Sequence, residues 1–143
     1  MKNEKAYCEL CDDDVNYTTK EVILKTTING VTFSYPYIES YCTHCGEKVF
    51  PVSISNKNDI LKYDEYKKRI GLLTSVEIKE IRKKLNLTQE GLAKLMGCGL
   101  RTITRYENGG VQDRAFDNHI RLLEENFDLK QALKTKKYNL KHI

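Results

Sequence analysis

The chain has 143 residues, 40% of them apolar and 31% charged, with five Cys, no Trp and a net charge of +4. That length admits one ordinary domain or two small ones, and no apolar run approaches the roughly 20 residues that cross a bilayer, which excludes helical membrane spans. Residues 1–57 hold six Lys against eight Asp and Glu, whereas residues 58–143 hold 18 basic and 12 acidic residues, so a mildly acidic head precedes a basic body suited to a polyanion.

The opening Met1-Lys2-Asn3-Glu4-Lys5 leads into no apolar stretch, so no secretory signal is read and a cytoplasmic setting, with reduced thiols, is expected. Cys8-Glu9-Leu10-Cys11 and Cys42-Thr43-His44-Cys45-Gly46 then form two Cys-x-x-Cys knuckles. The two-residue spacer lets both sulfurs of a knuckle face one ion, and four thiolates are what a tetrahedral structural zinc takes. Such a set closes the coordination shell and leaves no open position for water, so the expected Zn2+ holds a fold and does no catalysis. His44 reads as a solvent-facing spacer, and Asp12-Asp13-Asp14 as a solvated turn.

Between the knuckles, Glu21 to Ile28 and Val31 to Ile38 are strand-like and flank Asn29-Gly30, a strong hairpin signal. Pro36 places its strand at an edge or bulge. The predicted module, residues 1–57, is a zinc-clamped antiparallel hairpin. A core this small is undependable without a staple. Tyr7, Tyr17, Phe33, Tyr35, Tyr37, Tyr41 and Phe50 supply its aromatics. They serve either as core or as a docking face for a partner protein.

The polar stretch Ser53 to Asn58 breaks the strand pattern, and Asp59 to Ile70 then reads as a linker helix, within a connector spanning residues 58–73. Gly71 ends it. Thr74 and Glu77 form a capping box for the next helix, carrying Ile78, Ile81 and Leu85. Thr88 N-caps another, whose inner face is Leu92, Ala93, Leu95 and Met96. Gly97-Cys98-Gly99 makes a tight turn into Leu100 to Glu107, ended by Asn108-Gly109-Gly110. Short helix, tight turn and polar helix are the parts of a helix-turn-helix. On the last helix Ile103 and Tyr106 point inward, leaving Arg101, Thr102, Thr104 and Arg105 outside, a donor-rich set suited to base edges and phosphates. Cys98 reads as a packing residue in the turn rather than a redox sensor. A final helix from Arg114 to Asn126 presents Phe116, Ile120, Leu123 and Phe127, to complete the core or make a two-fold contact. The tail from Lys130 to Ile143 has five Lys and no acid, and either follows phosphates or frays. The fold class is thus α+β, a zinc-clamped β module followed by an all-α domain over residues 74–143. No nucleophile and base are paired in a way that suggests an enzyme.

Leu-Thr-Gln-Glu at 87–90 and Arg-Tyr-Glu-Asn-Gly at 105–109 resemble the Cro/repressor-type helix-turn-helix. The resemblance implies that Gln89 touches a phosphate and that Arg82 and Glu107 form a buried pair bracing the recognition helix. Taken whole, two knuckles, a helix and this motif, with Gly-x-Gly at 97–99 and Ile120-Arg121-Leu122-Leu123, are similar to the MqsA antitoxin family, or YgiT-type zinc finger/helix-turn-helix proteins. That resemblance implies a zinc module that binds a partner toxin, and a second domain that dimerises and represses at a palindromic operator in double-stranded DNA. It assigns base reading to Arg101 and Arg105. The head, from Tyr7-Cys8-Glu9-Leu10-Cys11 to Gly46-Glu47-Lys48-Val49-Phe50, also resembles the front of longer bacterial and phage proteins that carry a further domain. The chain stops at Ile143 without room for one. A stand-alone regulator without a toxin and a zinc-stabilised protein adaptor therefore stay beside the antitoxin reading.

Overall fold

A computed structural model of the chain describes residues 4–140, with side chains through Lys134. The N-terminal strands β1 (Ala6–Cys8) and β2 (Asp13–Val15) pair antiparallel around the first knuckle. The long strands β3 (Tyr17–Ile28) and β4 (Val31–Cys42) follow, and a two-residue strand β5 (Lys48–Val49) adds to β4, giving the order β3-β4-β5. Asn29 and Gly30 both take positive φ, 47° and 78°. This mirror-image turn matches the right-handed twist of the strands it joins, which Asn-Gly favours.

The helix α1 (Val52–Ile70) begins seven residues before the Asp59 expected from sequence, so the polar stretch 53–58 lies inside it. Tertiary contacts account for the difference. Pro51 supplies a preset φ at the helix start, and Glu4 takes the place of a local cap: its carboxylate accepts from the Ser53 N–H (3.1 Å), from the Ser53 hydroxyl and from the Tyr17 hydroxyl. Asn58, which read as loop, is buried and bonds the backbone of Ile38 on β4, accepting its N–H at 2.8 Å and donating to its carbonyl at 2.9 Å. A polar run that looks like a linker is therefore a helix docked on a strand edge. Phe33 and Tyr35 of β4 pack with Tyr66 of α1, flanked by Ile28, Val31, Tyr37 and Ile70. This helix belongs to the compact unit that ends at Gly71; the connector of residues 58–73 is not a separate element.

The Asn58 bonds also fix the hydrogen-bonding parity of the hairpin. Since Ile38 turns its N–H and carbonyl away from β3, even-numbered β4 residues face outward and odd-numbered ones bond β3. Pro36, expected at an edge, lacks an N–H on that outward side beyond the reach of short β5, so it removes no ladder bond.

The second unit starts at Leu72 and comprises α2 (Ser75–Lys84), α3 (Gln89–Met96), α4 (Leu100–Glu107) and α5 (Arg114–Leu140). Both sides of the capping box form, Glu77 N–H to Thr74 Oγ1 at 3.2 Å and Thr74 N–H to Glu77 Oε1 at 3.1 Å. Thr88 Oγ1 accepts from Gly91 N–H at 3.0 Å at the start of α3. Leu73, Ile78, Ile81, Leu92, Ala93, Ile103, Tyr106 and Ile120 make the core, with Cys98, Phe116 and Leu123 against it. Leu95, expected on the inner face of α3, is 52% exposed, because at about 100° per residue it falls at the edge of the face that Leu92, Ala93 and Met96 turn to the core. The last helix does not end at Asn126 but continues to Leu140; no Gly or Pro follows Gly110 to stop it. The end of the basic tail, residues 141–143, lies outside the described residues.

Candidate metal centre and recognition helix

The two knuckles meet at the foot of the β3–β4 hairpin. Cys8 closes β1, Cys42 closes β4, and Cys11 and Cys45 sit in the turns that follow. The four Sγ atoms lie within 4.8 Å of one another, with Cys8 to Cys45 at 3.5 Å and Cys11 to Cys42 at 3.9 Å. Tetrahedral Zn–S bonds of about 2.3 Å set sulfurs about 3.8 Å apart, so the donor set fits one ion. Positive φ follows the second thiolate of each knuckle, at Gly46 (79°) and at Asp12 (51°). The first knuckle thus uses Asp where the second uses Gly, as a short polar side chain tolerates this conformation.

The electrostatics ask for a cation. The neighbouring thiols, Cys45 first, together with burial, push the Cys11 thiol up to about 12. The Cys45 backbone N–H, followed by that of His44, outweighs burial and draws Cys42 down to about 7. Four thiols this close cannot all ionise unless positive charge is placed among them. His44 is exposed and outside the cluster, but its backbone N–H points at Cys42 Sγ at 3.3 Å, the N–H···S support that stabilises a thiolate. Ala6, Val49, Val15 and Tyr17 pack around the cysteines. Cys8, Cys11, Cys42 and Cys45 are therefore positioned to bind a structural metal ion.

In the second unit, Gly97 takes φ 71° to end α3, and Gly99 starts α4. Ile103 and Tyr106 are buried beneath α4, and Tyr106 meets Phe116 edge-on at 4.8 Å. Arg101 and Arg105 are exposed, with Thr102 and Thr104 half-buried beside them. Arg105 lies over the Tyr106 ring at 5.1 Å, and Gly110 crowds it from behind: a Cβ there would stand 2.5 Å from Arg105 Cγ and 2.9 Å from its carbonyl oxygen.

Behind this face, Arg82 grips Glu107 through Nε–Oε2 at 2.7 Å and Nη2–Oε1 at 3.0 Å, and donates from Nη1 to the Leu87 carbonyl at 3.0 Å. The Glu107 side chain is 1% exposed. Glu107, first among its causes, raises the Arg82 pKa against the opposing effect of burial. Gln89 donates to Glu107 Oε1 at 3.2 Å, and its Oε1 lies 3.5 Å from the Thr104 hydroxyl, whose shorter bond, 3.1 Å, goes to the Leu100 carbonyl, so the Gln89 amide ties the start of α3 to α4. Cys98 is half-buried against the core, and burial raises its thiol.

One polar centre was missed from the sequence. Asp117 is buried, accepts at Oδ1 from Leu73 N–H (2.8 Å) and Gln112 Nε2 (3.0 Å), and at Oδ2 from Arg121 (2.8 Å). Gln112 also donates to the Leu73 carbonyl at 2.8 Å. Only the i,i+4 spacing of Asp117 and Arg121 hinted at part of it.

A four-cysteine metal centre in a small antiparallel module, followed by a unit of three short helices and one long one, describes a metal-stapled two-part protein. The family model described as "Antitoxin component of bacterial toxin-antitoxin system, MqsA" matches residues 6–134. Antitoxin MqsA of Escherichia coli (strain K12) is 32% identical over 126 residues, covering 78% of this chain and 86% of that protein. The chain belongs to the MqsA antitoxin family. Among the described residues no helix is long and apolar enough to cross a membrane.

Proposed function

We propose that this antitoxin is a cytoplasmic, homodimeric DNA-binding repressor of its own operon, whose zinc module binds the cognate toxin. It acts by binding, not by catalysis. The observation that carries the DNA reading is α4: one side is anchored by Ile103, Tyr106 and Glu107, and the other carries exposed Arg101 and Arg105 with half-buried Thr102 and Thr104 between them. A rigid helix with a donor-rich exposed face suits a major groove. Arg101 and Arg105 reach base edges, the two threonines contact bases or backbone, and nearby Lys residues contact phosphate. Gln89 has a part in this even though its amide is engaged internally: it sets Thr104 and Glu107, and a phosphate would meet it at the start of α3. A dimer with its contact in the helical unit matches paired half-sites about 34 Å apart.

A shift assay with the gene's own upstream duplex, at two salt concentrations, tests the reading. Arg105→Ala should lower specific affinity by about 1–3 kcal/mol with the metal module still folded. Unchanged operator affinity removes Arg105 from the recognition set. Absence of any specific, salt-sensitive binding by the wild type favours a protein adaptor in place of a repressor.

A further inference from the structure

Strand β3 is the outer strand of the β3-β4-β5 sheet, twelve residues long and without Pro, Gly or a bulge in its register with β4. Long uninterrupted edges are usually blunted, because their unpaired N–H and carbonyl groups template another strand. The parity set by Asn58 and Ile38 identifies which groups are free. Glu21 faces Ile38 in a non-hydrogen-bonded pair, so the odd-numbered residues from Tyr17 to Thr27 turn their backbone groups to the open edge. Pro36 opposite Ile23, and the two-residue turn after Ile28, require the same parity.

We infer that this edge pairs with the β3 edge of a second copy of the chain, antiparallel, about a two-fold axis through Ile23. In that register Ile23 meets its own counterpart, Glu21 meets Lys25 of the second copy, Lys25 meets its Glu21, and Thr19 meets Thr27. Every hydrogen-bonded pair is odd with odd, as the outward backbone groups demand. On the other face Val22 meets Leu24. Ile23 is 68% exposed and Leu24 37%, and neither Glu21 nor Lys25 makes an ion pair among the described residues. Neighbouring registers of the same parity lose this match. An axis through Glu21 or Lys25 sets like charges against each other, and an axis through Val22 or Leu24 sets Ile23 against a charged residue. Opposite charges directly across a ladder stabilise and like charges destabilise, so the sequence selects one register. The pairing joins two three-stranded sheets into one and uses no residue of the recognition helix.

Register-specific cross-linking of the full, zinc-loaded chain in a Cys98→Ser background tests this. Facing Cα atoms in a hydrogen-bonded antiparallel pair are about 5.5 Å apart, within disulfide reach. Ile23→Cys should therefore form a disulfide-linked dimer under mild oxidation. Glu21→Cys alone should not, since its counterpart is displaced by four residues, about 13 Å along the strand, whereas a mixture of Glu21→Cys and Lys25→Cys chains should link. Adding Glu21→Lys to Ile23→Cys should slow linking several-fold, and adding Lys25→Glu as well should restore it. Equal linking by Ile23→Cys and Glu21→Cys, or no rescue by the double charge swap, overturns the pairing. If Ile23→Cys links no faster than that control but is shielded from alkylation when toxin is added, the edge belongs to the toxin and the proposal is also overturned. DNA binding enters none of these readouts.

Discussion

Replacing Arg82 with Ala isolates what the brace behind α4 contributes. The Glu107 carboxylate, 1% exposed, would keep only the 3.2 Å bond from Gln89 in place of a bidentate guanidinium, and the Leu87 carbonyl would lose its 3.0 Å donor. Breaking a buried pair from one side costs about 3–5 kcal/mol. The Arg82 side chain is 13% exposed, so water can enter the gap, and a loss near 3 kcal/mol is expected. A helical unit of this size has roughly 4–10 kcal/mol to lose, so the variant should sit close to its unfolding transition at 37 °C. Urea unfolding followed by far-ultraviolet circular dichroism measures the loss, with zinc retention reporting separately on the first unit. Replacing both partners, Arg82→Met with Glu107→Leu, should recover most of it, because no orphaned charge remains. A loss below about 1 kcal/mol for Arg82→Ala, in the range of surface pairs, would refute the view that this pair is a buried brace.

Other consequences are equally direct. Burial raises the Asp117 carboxyl, but the Leu73 N–H, Arg121 and Gln112 outweigh it and hold it below the ordinary value. Its contribution is therefore full above the unfolded carboxyl pKa of about 3.9 and is lost as pH falls through the lower folded value. Acid unfolding of wild type and Asp117→Asn should show a less stable variant at neutral pH whose stability changes less below pH 4; parallel curves would contradict this. Stripping the metal with a chelator should unfold the first unit and spare the helices of the second, which amide exchange read unit by unit will detect. Gly110→Ala must displace Arg105, against which its Cβ would stand at 2.5 Å; a stability loss of about 1–3 kcal/mol is expected from overpacking, with weaker operator binding in the shift assay.

Much of the molecule could be read along the chain because the signals are local. Two Cys-x-x-Cys knuckles, Asn29-Gly30, the Thr74–Glu77 capping box, Thr88 and Gly97 each act through bonds or dihedrals within a few residues, and each appears where the pattern placed it. The Arg82–Glu107 pair, 25 residues apart, came from family resemblance alone, since nothing in local sequence separates it from two surface charges. What only the tertiary structure decided lies where distant groups meet. Residues 53–58 are helix because Glu4 and the edge of β4 satisfy polar groups that look like loop. Asp117 is buried because the Leu73 backbone and Gln112 reach it from other segments. The hydrogen-bonding parity of the hairpin, and with it the free edge of β3, follows from one side chain, Asn58, twenty residues from its partner. Propensity and periodicity carry information over a turn or a strand pair, whereas burial and pairing of polar groups depend on which segments come together in space.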